Sequence, residues 1–391
     1  MADDHILSPY ILKHFGGNLS RIGAGGLVVT VLAANRHPGV FEQPDGAGNV
    51  DSGDAQHHLA PLVFAQLGFD TFTPIEYMYG EERNPTGWCR DEILVGEIEN
   101  MFRTKGMAAF TLHPDKAYLE ISAQLYNRTN RPQTFLWWAN PAVPVNDHTQ
   151  SIFPPDVHAV MDHGKRDVSN FPIATGVYYK MDYSEGVDIS RYKNIPVPTS
   201  YMADHSDYDF VGGYDYQEKA GILHVADHHV APGKKQWTWG CGEFGKAWDR
   251  NLTDEDGPYV ELMTGCFTDN QPDFTWVAPY EEKAFTQYFM PYKGVGQIKN
   301  ATVQAAVGLE EDEEGITIRA YVTGEYPKAE IRLTRDEEIL FSKELDLSPE
   351  QAFEAKIGKD ADPIEDETRL EVTVLDQDGN RLVAYRPEKQ T

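Results

Sequence analysis

Two carboxylates in the second half of the chain have the residue type and setting for acid–base chemistry. Glu261 lies in the middle of the strand-like stretch GPYVELMTGCF, between the apolar Val260 and Leu262. A carboxylate in such a place is solvated in a cleft or hydrogen-bonded, and a cleft carboxylate with a shifted pKa acts as an acid or a base. Asp249, in AWDRN, is a second candidate. Two carboxylates could support glycoside cleavage, although a surface position on a strand would also explain Glu261.

Aromatic residues beside short polar groups occur in two places. The stretch FLWWANPAV sets Trp137 and Trp138 beside Asn140, and alternation along a strand predicts that one indole packs in the core while the other faces a cavity or solvent. A single tryptophan is usually a core residue, but two such groups favour a carbohydrate cleft, because an indole face suits the C–H side of a sugar ring. Trp138 and Asn140 are the ligand-binding candidates of the first group, and the second group adds Trp239, Trp248 and Arg250. We expect the sugar to stack on Trp138 or Trp239.

The stretch HVADHH contains His224, His228 and His229. If it is a strand, His224 and His228 share a face about 13 Å apart, and His229 points to the opposite face. A single ion with bonds of about 2 Å cannot bridge that distance, so we predict no metal site. His228 is a candidate for the lining of a ligand pocket, with a packed or surface position as the alternative.

Charge and composition restrict the partners. The 391 residues carry a formal charge of −28, which repels phosphate backbones and anionic lipids, so we expect no nucleic acid and no membrane as partner. A neutral sugar is the favoured ligand, and no cofactor is predicted.

The three cysteines are widely spaced and form no CxxC pair, which argues against a disulfide framework or a zinc ribbon. No signal peptide or long apolar span is found, and we predict a cytoplasmic location.

Short strands separated by turn residues dominate the chain. In AYLEISAQLY, the apolar Leu119, Ile121, Ala123 and Leu125 alternate with Tyr118 and other more polar side chains, which predicts a half-buried strand. Similar stretches recur with Gly, Pro, Asn and Asp between them, and helical periodicity is scarce. The pattern predicts an all-β, antiparallel sandwich or barrel.

The composition changes near residue 301. The acidic run GLEEDEEG follows, no tryptophan occurs after Trp276, and two alternating stretches flank the Asp378–Gly379 turn signal. We therefore predict one domain over residues 1–300 and a small immunoglobulin-like β-sandwich over residues 301–391.

Several stretches together resemble a bacterial domain of unknown function in the galactose mutarotase-like superfamily. They are FLWWANPAVPVN, SIFPPD, YKNIPVPTSYM, GGYD, WTWG and WDRNLTDEDGPYVELMTGCFTDNQPDF. The resemblance covers roughly residues 90 to 300 and implies an antiparallel galactose mutarotase-like supersandwich, whereas residues 1–85 depart from the pattern. Members often continue through a small β-domain into tetratricopeptide repeats, so such repeats in a longer parent chain are an expected partner.

The resemblance also implies roles for individual residues. VELMTGCFTDNQPD is similar to the strand and turn that carry the catalytic glutamate of aldose 1-epimerases, which places Glu261 at that position and Gln271 in the substrate-binding turn. Asn140 stands where one of the two epimerase histidines is expected, and an asparagine cannot act as a general acid. The QHH stretch at residues 56–58 is similar to a family pattern and makes His58 a catalytic candidate.

Three functions are compatible with these observations. The favoured one is a carbohydrate-active domain that performs epimerisation or glycoside cleavage with Glu261 as acid or base. The second is a non-catalytic carbohydrate-binding module. The third is a scaffold whose aromatic patches contact protein within a larger repeat protein.

Overall fold

The computed structural model describes the backbone of residues 28–34 and then residues 91–99, 101–164, 166–253, 257–268, 273–336, 338–358 and 370–387. The strands up to residue 293 are β1 (Val28–Ala34), β2 (Asp91–Ile98), β3 (Thr104–Leu112), β4 (Leu119–Asn127), β5 (Gln133–Pro144), β6 (Thr149–Ile152), β7 (Ala159–Met161), β8 (Val168–Asn170), β9 (Ile173–Ala174), β10 (Val177–Tyr178), β11 (Met181–Asp182), β12 (Val187–Asp188), β13 (Thr199–Ala203), β14 (Phe210–Asp215), β15 (Ala220–Val225), β16 (Gly233–Thr238), β17 (Tyr259–Cys266), β18 (Thr275–Val277) and β19 (Glu282–Lys293). Within the described residues, a 3₁₀ helix (Tyr192–Asn194) and one α-helix, α1 (Glu243–Leu252), interrupt them.

Two large antiparallel sheets form this part of the molecule. The first has the order β1-β5-β17-β16-β13-β7-β8, with β18 paired to β5, and the second has the order β2-β3-β4-β19-β15-β14-β6. The prediction of an all-β fold built from antiparallel sheets is confirmed.

The two sheets pack face to face over an apolar layer. In β4 the buried Ile121, Ala123 and Leu125 point into this layer, as the alternation of the sequence predicts. From β5 the buried Trp137 enters the same layer and lies edge-on against Phe285 of β19, with ring centroids 5.0 Å apart. Alternation along β5 therefore places the neighbouring Trp138 on the other face of the first sheet.

A polar network lies within the buried layer. Gln287 accepts a hydrogen bond from the Trp137 indole at 2.9 Å and donates to His224 at 3.0 Å and to Thr264 at 2.8 Å. The Thr264 hydroxyl lies 2.9 Å from the same His224 nitrogen, Nε2. With both groups donating, Nε2 must be unprotonated. Burial is the largest influence on the pKa of His224, and with the nearby Lys234 it lowers that pKa to about 3.

The remaining strands are β20 (Asn300–Ala301), β21 (Ala305–Asp312), β22 (Gly315–Val322), β23 (Tyr326–Arg335), β24 (Glu338–Leu347), β25 (Phe353–Gly358), β26 (Leu370–Leu375) and β27 (Arg381–Tyr385). They form two four-stranded sheets, β20-β21-β22-β25 and β24-β23-β26-β27. A buried apolar cluster that includes Ile318, Leu333 and Val372 fills the space between these sheets, which is the packing of a small β-sandwich. The division of the chain at residue 300 stays a prediction.

A second apolar cluster joins this small sandwich to the larger sheets. Ala306 and Tyr321 of the sandwich are buried together with Phe210, Met290 and other residues of the preceding strands. Within the described part of the chain, no helix has the length and apolar character needed to cross a membrane.

Acid should destabilise the protein through His224. Between pH 6.5 and about 3 the imidazole is neutral in the folded protein and protonated in the unfolded chain. The unfolded state then binds the extra proton, so the free energy of unfolding falls as the pH falls, by up to about 1.4 kcal/mol per pH unit from this group. Urea unfolding of wild type and His224→Gln across that range measures the difference in slope. The exposed His205→Gln is the control, and equal slopes for all three proteins would contradict the assignment.

Candidate functional site

Three adjacent strands of the first sheet present polar and aromatic side chains on the face that points away from the buried layer. Glu261 of β17 lies directly opposite Trp237 of β16, and Met263 lies opposite Lys235. Asn140 comes from β5, on the other side of β17. Because these residues share one face of a continuous sheet, residues far apart in the chain become neighbours.

Trp138 lies against the backbone of two of these strands. A methyl group added to Gly265 would lie 2.6 Å from the indole, and one added to Gly233 would lie 2.7 Å from it. The ring packs with Met202 and Met263 and is fully buried. The indole therefore forms the floor of the site rather than an exposed platform.

Glu261 is fixed by Asn140. The Asn140 amide nitrogen donates a hydrogen bond of 2.9 Å to the Glu261 carboxylate. Burial raises the pKa of Glu261, and the hydrogen bond from Asn140 and the charge of Lys235 act in the opposite direction without cancelling the effect of burial. The raised pKa moves this carboxyl towards the range in which it exchanges protons near neutral pH.

Lys235 provides the second ionisable group of the site. It is fully buried, its ammonium nitrogen lies 5.9 Å from the centre of the Trp138 ring, and it donates a hydrogen bond of 2.7 Å to Nδ1 of His163. Burial lowers the pKa of Lys235, and the charge of Glu261 opposes that effect. The pKa values of the lysine and the glutamate are therefore shifted towards each other.

The loop after β7 holds His163 in place. The buried Asp162 carboxylate accepts hydrogen bonds from the backbone of Gly164, Arg166 and Asp167, at 2.5–3.1 Å. The backbone N–H of His163 donates to the hydroxyl of Ser200 at 3.1 Å. The loop is thus closed on itself and tied to β13, which fixes the imidazole beside Lys235.

Two buried polar atoms of the site have no hydrogen-bond partner among the described residues. They are the indole nitrogen of Trp138, a donor, and the amide oxygen of Asn140, an acceptor. Unpaired buried polar atoms are costly and usually mark a place where water or a ligand completes the bonding. A donor and an acceptor on one strand face match what a hydroxyl group needs.

An aromatic row extends from Glu261 towards α1. Trp237 and Trp239 lie edge to face with ring centroids 4.6 Å apart, and Trp239 stacks on Trp248 of α1 at 4.7 Å and an interplanar angle of 14°. The Trp239 indole donates to the Tyr259 hydroxyl at 3.3 Å. The three tryptophans are half-buried, so parts of their rings remain open to a ligand.

The other two candidates on α1 lie on different sides of it. Asp249 is buried, and burial raises the pKa of its carboxyl, while Arg250 is exposed. The pKa of Tyr259 is raised to about 12, mainly by burial and further by the charges of Glu261 and Asp249. Both carboxylates therefore lie within electrostatic reach of one phenol.

The structure places the histidines of HVADHH differently from the sequence prediction. β15 ends at Val225, and His228 and His229 lie in the following turn with their rings 3.9 Å apart. The prediction that His229 points away from His228 is wrong, because the two residues do not lie on a strand. His228 contacts Asp209 at 2.8 Å, in a different loop from the residues around Glu261. His58 and Gln271 lie outside the described residues, so their assigned roles stay predictions.

Lys235 and His163 were not among the residues that the sequence singled out. Lys235 stands beside a second lysine in GKKQWT, and such a pair usually indicates a solvated strand. His163 is separated from Lys235 by 72 residues and lies in a loop. The alternation of side chains along β16 places Lys235 on the same face as Trp237. This is the one sequence signal that could have identified Lys235 as a site residue.

Comparison with known proteins gives two family matches. Residues 63–293, more than half of the chain, match the family described as a domain of unknown function, DUF5107. Residues 300–385 match the second domain of YphG-like proteins.

Solved structures with similar folds include three from bacteria. A TPR-domain containing protein from Parabacteroides distasonis is 19% identical with a TM-score of 0.47, and the match covers 68% of this chain but only 38% of that protein. Galactose mutarotase-like proteins from Clostridium acetobutylicum (12% identity, TM-score 0.40, 72% of this chain and 82% of that one) and Lactobacillus casei (9%, 0.40, 68% and 85%) are also similar.

The contact between Trp138 and Gly265 predicts that a larger residue at position 265 destabilises the protein. In Gly265→Ala the new methyl group collides with the indole, so the free energy of unfolding should fall by about 1–3 kcal/mol. Gly176→Ala is the matched control, since its methyl group would meet no atom within 4 Å. Chemical unfolding followed by tryptophan fluorescence compares the two, and equal stability of both variants would show that Trp138 does not rest on Gly265.

Proposed function

The chain belongs to the DUF5107 family, and we propose that it binds a neutral sugar on the face that carries Glu261 and catalyses proton transfer at the anomeric centre. The observation that carries the proposal is the arrangement of Glu261, held by Asn140, beside the buried Lys235–His163 pair. The half-buried aromatic row next to this arrangement provides a surface for a ring that has hydroxyl groups.

The proposed reaction is an epimerase-like opening and closing of the sugar ring. Glu261 takes the proton of the anomeric hydroxyl, the bond between the anomeric carbon and the ring oxygen breaks, and the Lys235–His163 pair delivers a proton to that oxygen. The open-chain aldehyde turns about the adjacent bond, and the same steps in reverse close the ring. Asn140 cannot donate that proton as a general acid, and the Lys235–His163 pair supplies the missing acid.

The opposite pKa shifts support these roles. Burial raises the pKa of Glu261 and lowers that of Lys235, and a base and an acid work best when their pKa values lie near the working pH. The formal charge of −28 favours an uncharged sugar over a phosphorylated one.

A non-catalytic carbohydrate-binding module is the second candidate. The observation that favours it is the complete burial of Lys235 and Trp138, because a proton donor must reach its substrate. In that case the half-buried Trp237 and Trp239 carry the binding, and Glu261 orients a hydroxyl without exchanging its proton. Tetratricopeptide repeats in a longer parent chain remain a proposal for either function.

Glu261→Gln tests the catalytic role. The substitution keeps the shape and the hydrogen-bonding capacity of the side chain but removes the proton acceptor, so anomer exchange should slow by roughly 100-fold or more. Polarimetry and NMR exchange on a panel of neutral aldoses measure the rate, and calorimetry on the same panel measures binding. Glu282→Gln, an exposed glutamate on β19, is the control. Exchange that is unchanged in Glu261→Gln would remove Glu261 from the mechanism. Sugar binding by wild type without any acceleration of exchange would leave the binding module as the function, and binding of no neutral sugar would contradict both candidates.

Trp239→Ala tests the aromatic row independently of the chemistry. Loss of a stacking ring should cost on the order of 1–3 kcal/mol of sugar-binding free energy, by analogy with stacking on aromatic side chains elsewhere. The matched control is Trp276→Ala, which removes a 57% exposed tryptophan on β18. If both variants bind the sugar as tightly as wild type, the ligand does not stack on this row.

A further inference from the structure

The turn between β15 and β16 brings three metal-binding side chains together outside the candidate sugar site. One ligand atom each from Asp227, His228 and His229 lies within 4.8 Å of the others. Asp227 and His229 are exposed and His228 is half-buried, so an ion can reach all three from solvent. Two imidazoles and a carboxylate are a common ligand set for divalent ions of the first transition row.

Asp209 orients the central ligand. Its carboxylate accepts hydrogen bonds of 2.8 Å from both the backbone N–H and the ring Nδ1 of His228. Because the bond to Asp209 engages Nδ1 of His228, Nε2 of the neutral imidazole is the nitrogen left to bind an ion, and a carboxylate on the other ring nitrogen is the arrangement that metal-binding histidines usually show. Asp209 therefore orients the ring of His228.

The backbone of the turn is ordered independently of any ion. Ala231 and Val230 both donate to the carbonyl of Asp227, at 2.7 and 2.9 Å, and the carbonyl of Val230 accepts from Phe267 at 2.7 Å. The carboxylate of Asp227 also accepts the backbone N–H of His229 at 2.9 Å. The ligands are thus held on a fixed backbone, which lowers the entropic cost of binding an ion.

The charge of the surroundings suits a divalent cation. Asp227 contributes a negative charge at the turn, and the positive charge of the buried Lys234 is offset by the neighbouring Asp156, Asp209 and Asp207. Tetrahedral bonds of about 2.0–2.1 Å place ligand atoms about 3.4 Å apart, and rotation of the exposed Asp227 and His229 side chains closes the remaining gap.

We propose that Asp227, His228 and His229 bind one divalent transition-metal ion such as Zn²⁺, with Asp209 as the residue that positions His228. Three protein ligands leave at least one coordination position for water or for a donor atom of another molecule. The site is separate from the proposed sugar chemistry, and it exists or fails independently of it.

Titration of the full, EDTA-treated chain with Co²⁺ and Zn²⁺ tests the proposal. We expect one ion per chain by calorimetry and a visible Co²⁺ absorption band that Zn²⁺ displaces. His228→Gln and His229→Gln should each weaken binding at least about 10-fold, and Asp209→Asn, which keeps all ligands, by about 10–100-fold. His205→Gln is the control, because it removes an exposed histidine that pairs with Asp207 instead.

Two results would overturn the proposal. One is the absence of binding at ion concentrations up to about 1 mM. The other is binding that is equal in wild type, His228→Gln and His229→Gln, which would place the ion on other residues. If either glutamine variant fails to give the circular dichroism spectrum of wild type, Asp209→Asn decides alone, and unchanged affinity in that variant then overturns the proposal.

Discussion

The contact of the Trp138 indole with the bare backbones of Gly233 and Gly265 is the constraint on which the candidate site depends. Because neither glycine has a side chain, the ring can lie across β16 and β17 and fill the space that two Cβ atoms would occupy. The ring also forms part of the apolar environment of Lys235. Trp138 therefore packs the strands of the site together and makes the floor of the site an apolar environment in which charged groups are poorly solvated.

The poor solvation explains the protonation behaviour of the site. An ion that is removed from water costs several kcal/mol, and a neighbour of opposite charge repays only part of this cost. Glu261 has one hydrogen bond from Asn140 and the attraction of Lys235, and burial still raises its pKa. Burial of these groups shifts their pKa values towards neutral pH, so they can exchange protons there. The same residues on a solvent-exposed strand would keep their ordinary pKa values.

The sequence predicted the strands and part of the site, and the limits have physical causes. Period-2 alternation is a local property of the sequence. Adjacent residues therefore sufficed to predict strand β4 and to predict that Trp137 and Trp138 lie on opposite faces of β5. Glu261 was recognisable because a charge between apolar neighbours is unusual within a strand. The contact of Lys235 with His163 depends on sheet order and on a loop 72 residues away, which no local pattern encodes. The error at His229 arose because β15 ends at Val225, so the strand alternation no longer holds for the two histidines in the following turn.

The apolar cluster shared by the small C-terminal sandwich and the larger sheets couples the unfolding of these two parts. Tyr321 and Ala306 are buried against Phe210 and Met290, so unfolding either part exposes apolar surface on the other. The two parts are therefore thermodynamically coupled: local opening of the sandwich lowers the stability of β14 and β19, and a ligand that stabilises the larger sheets also slows exchange of amide protons in the strands after residue 300.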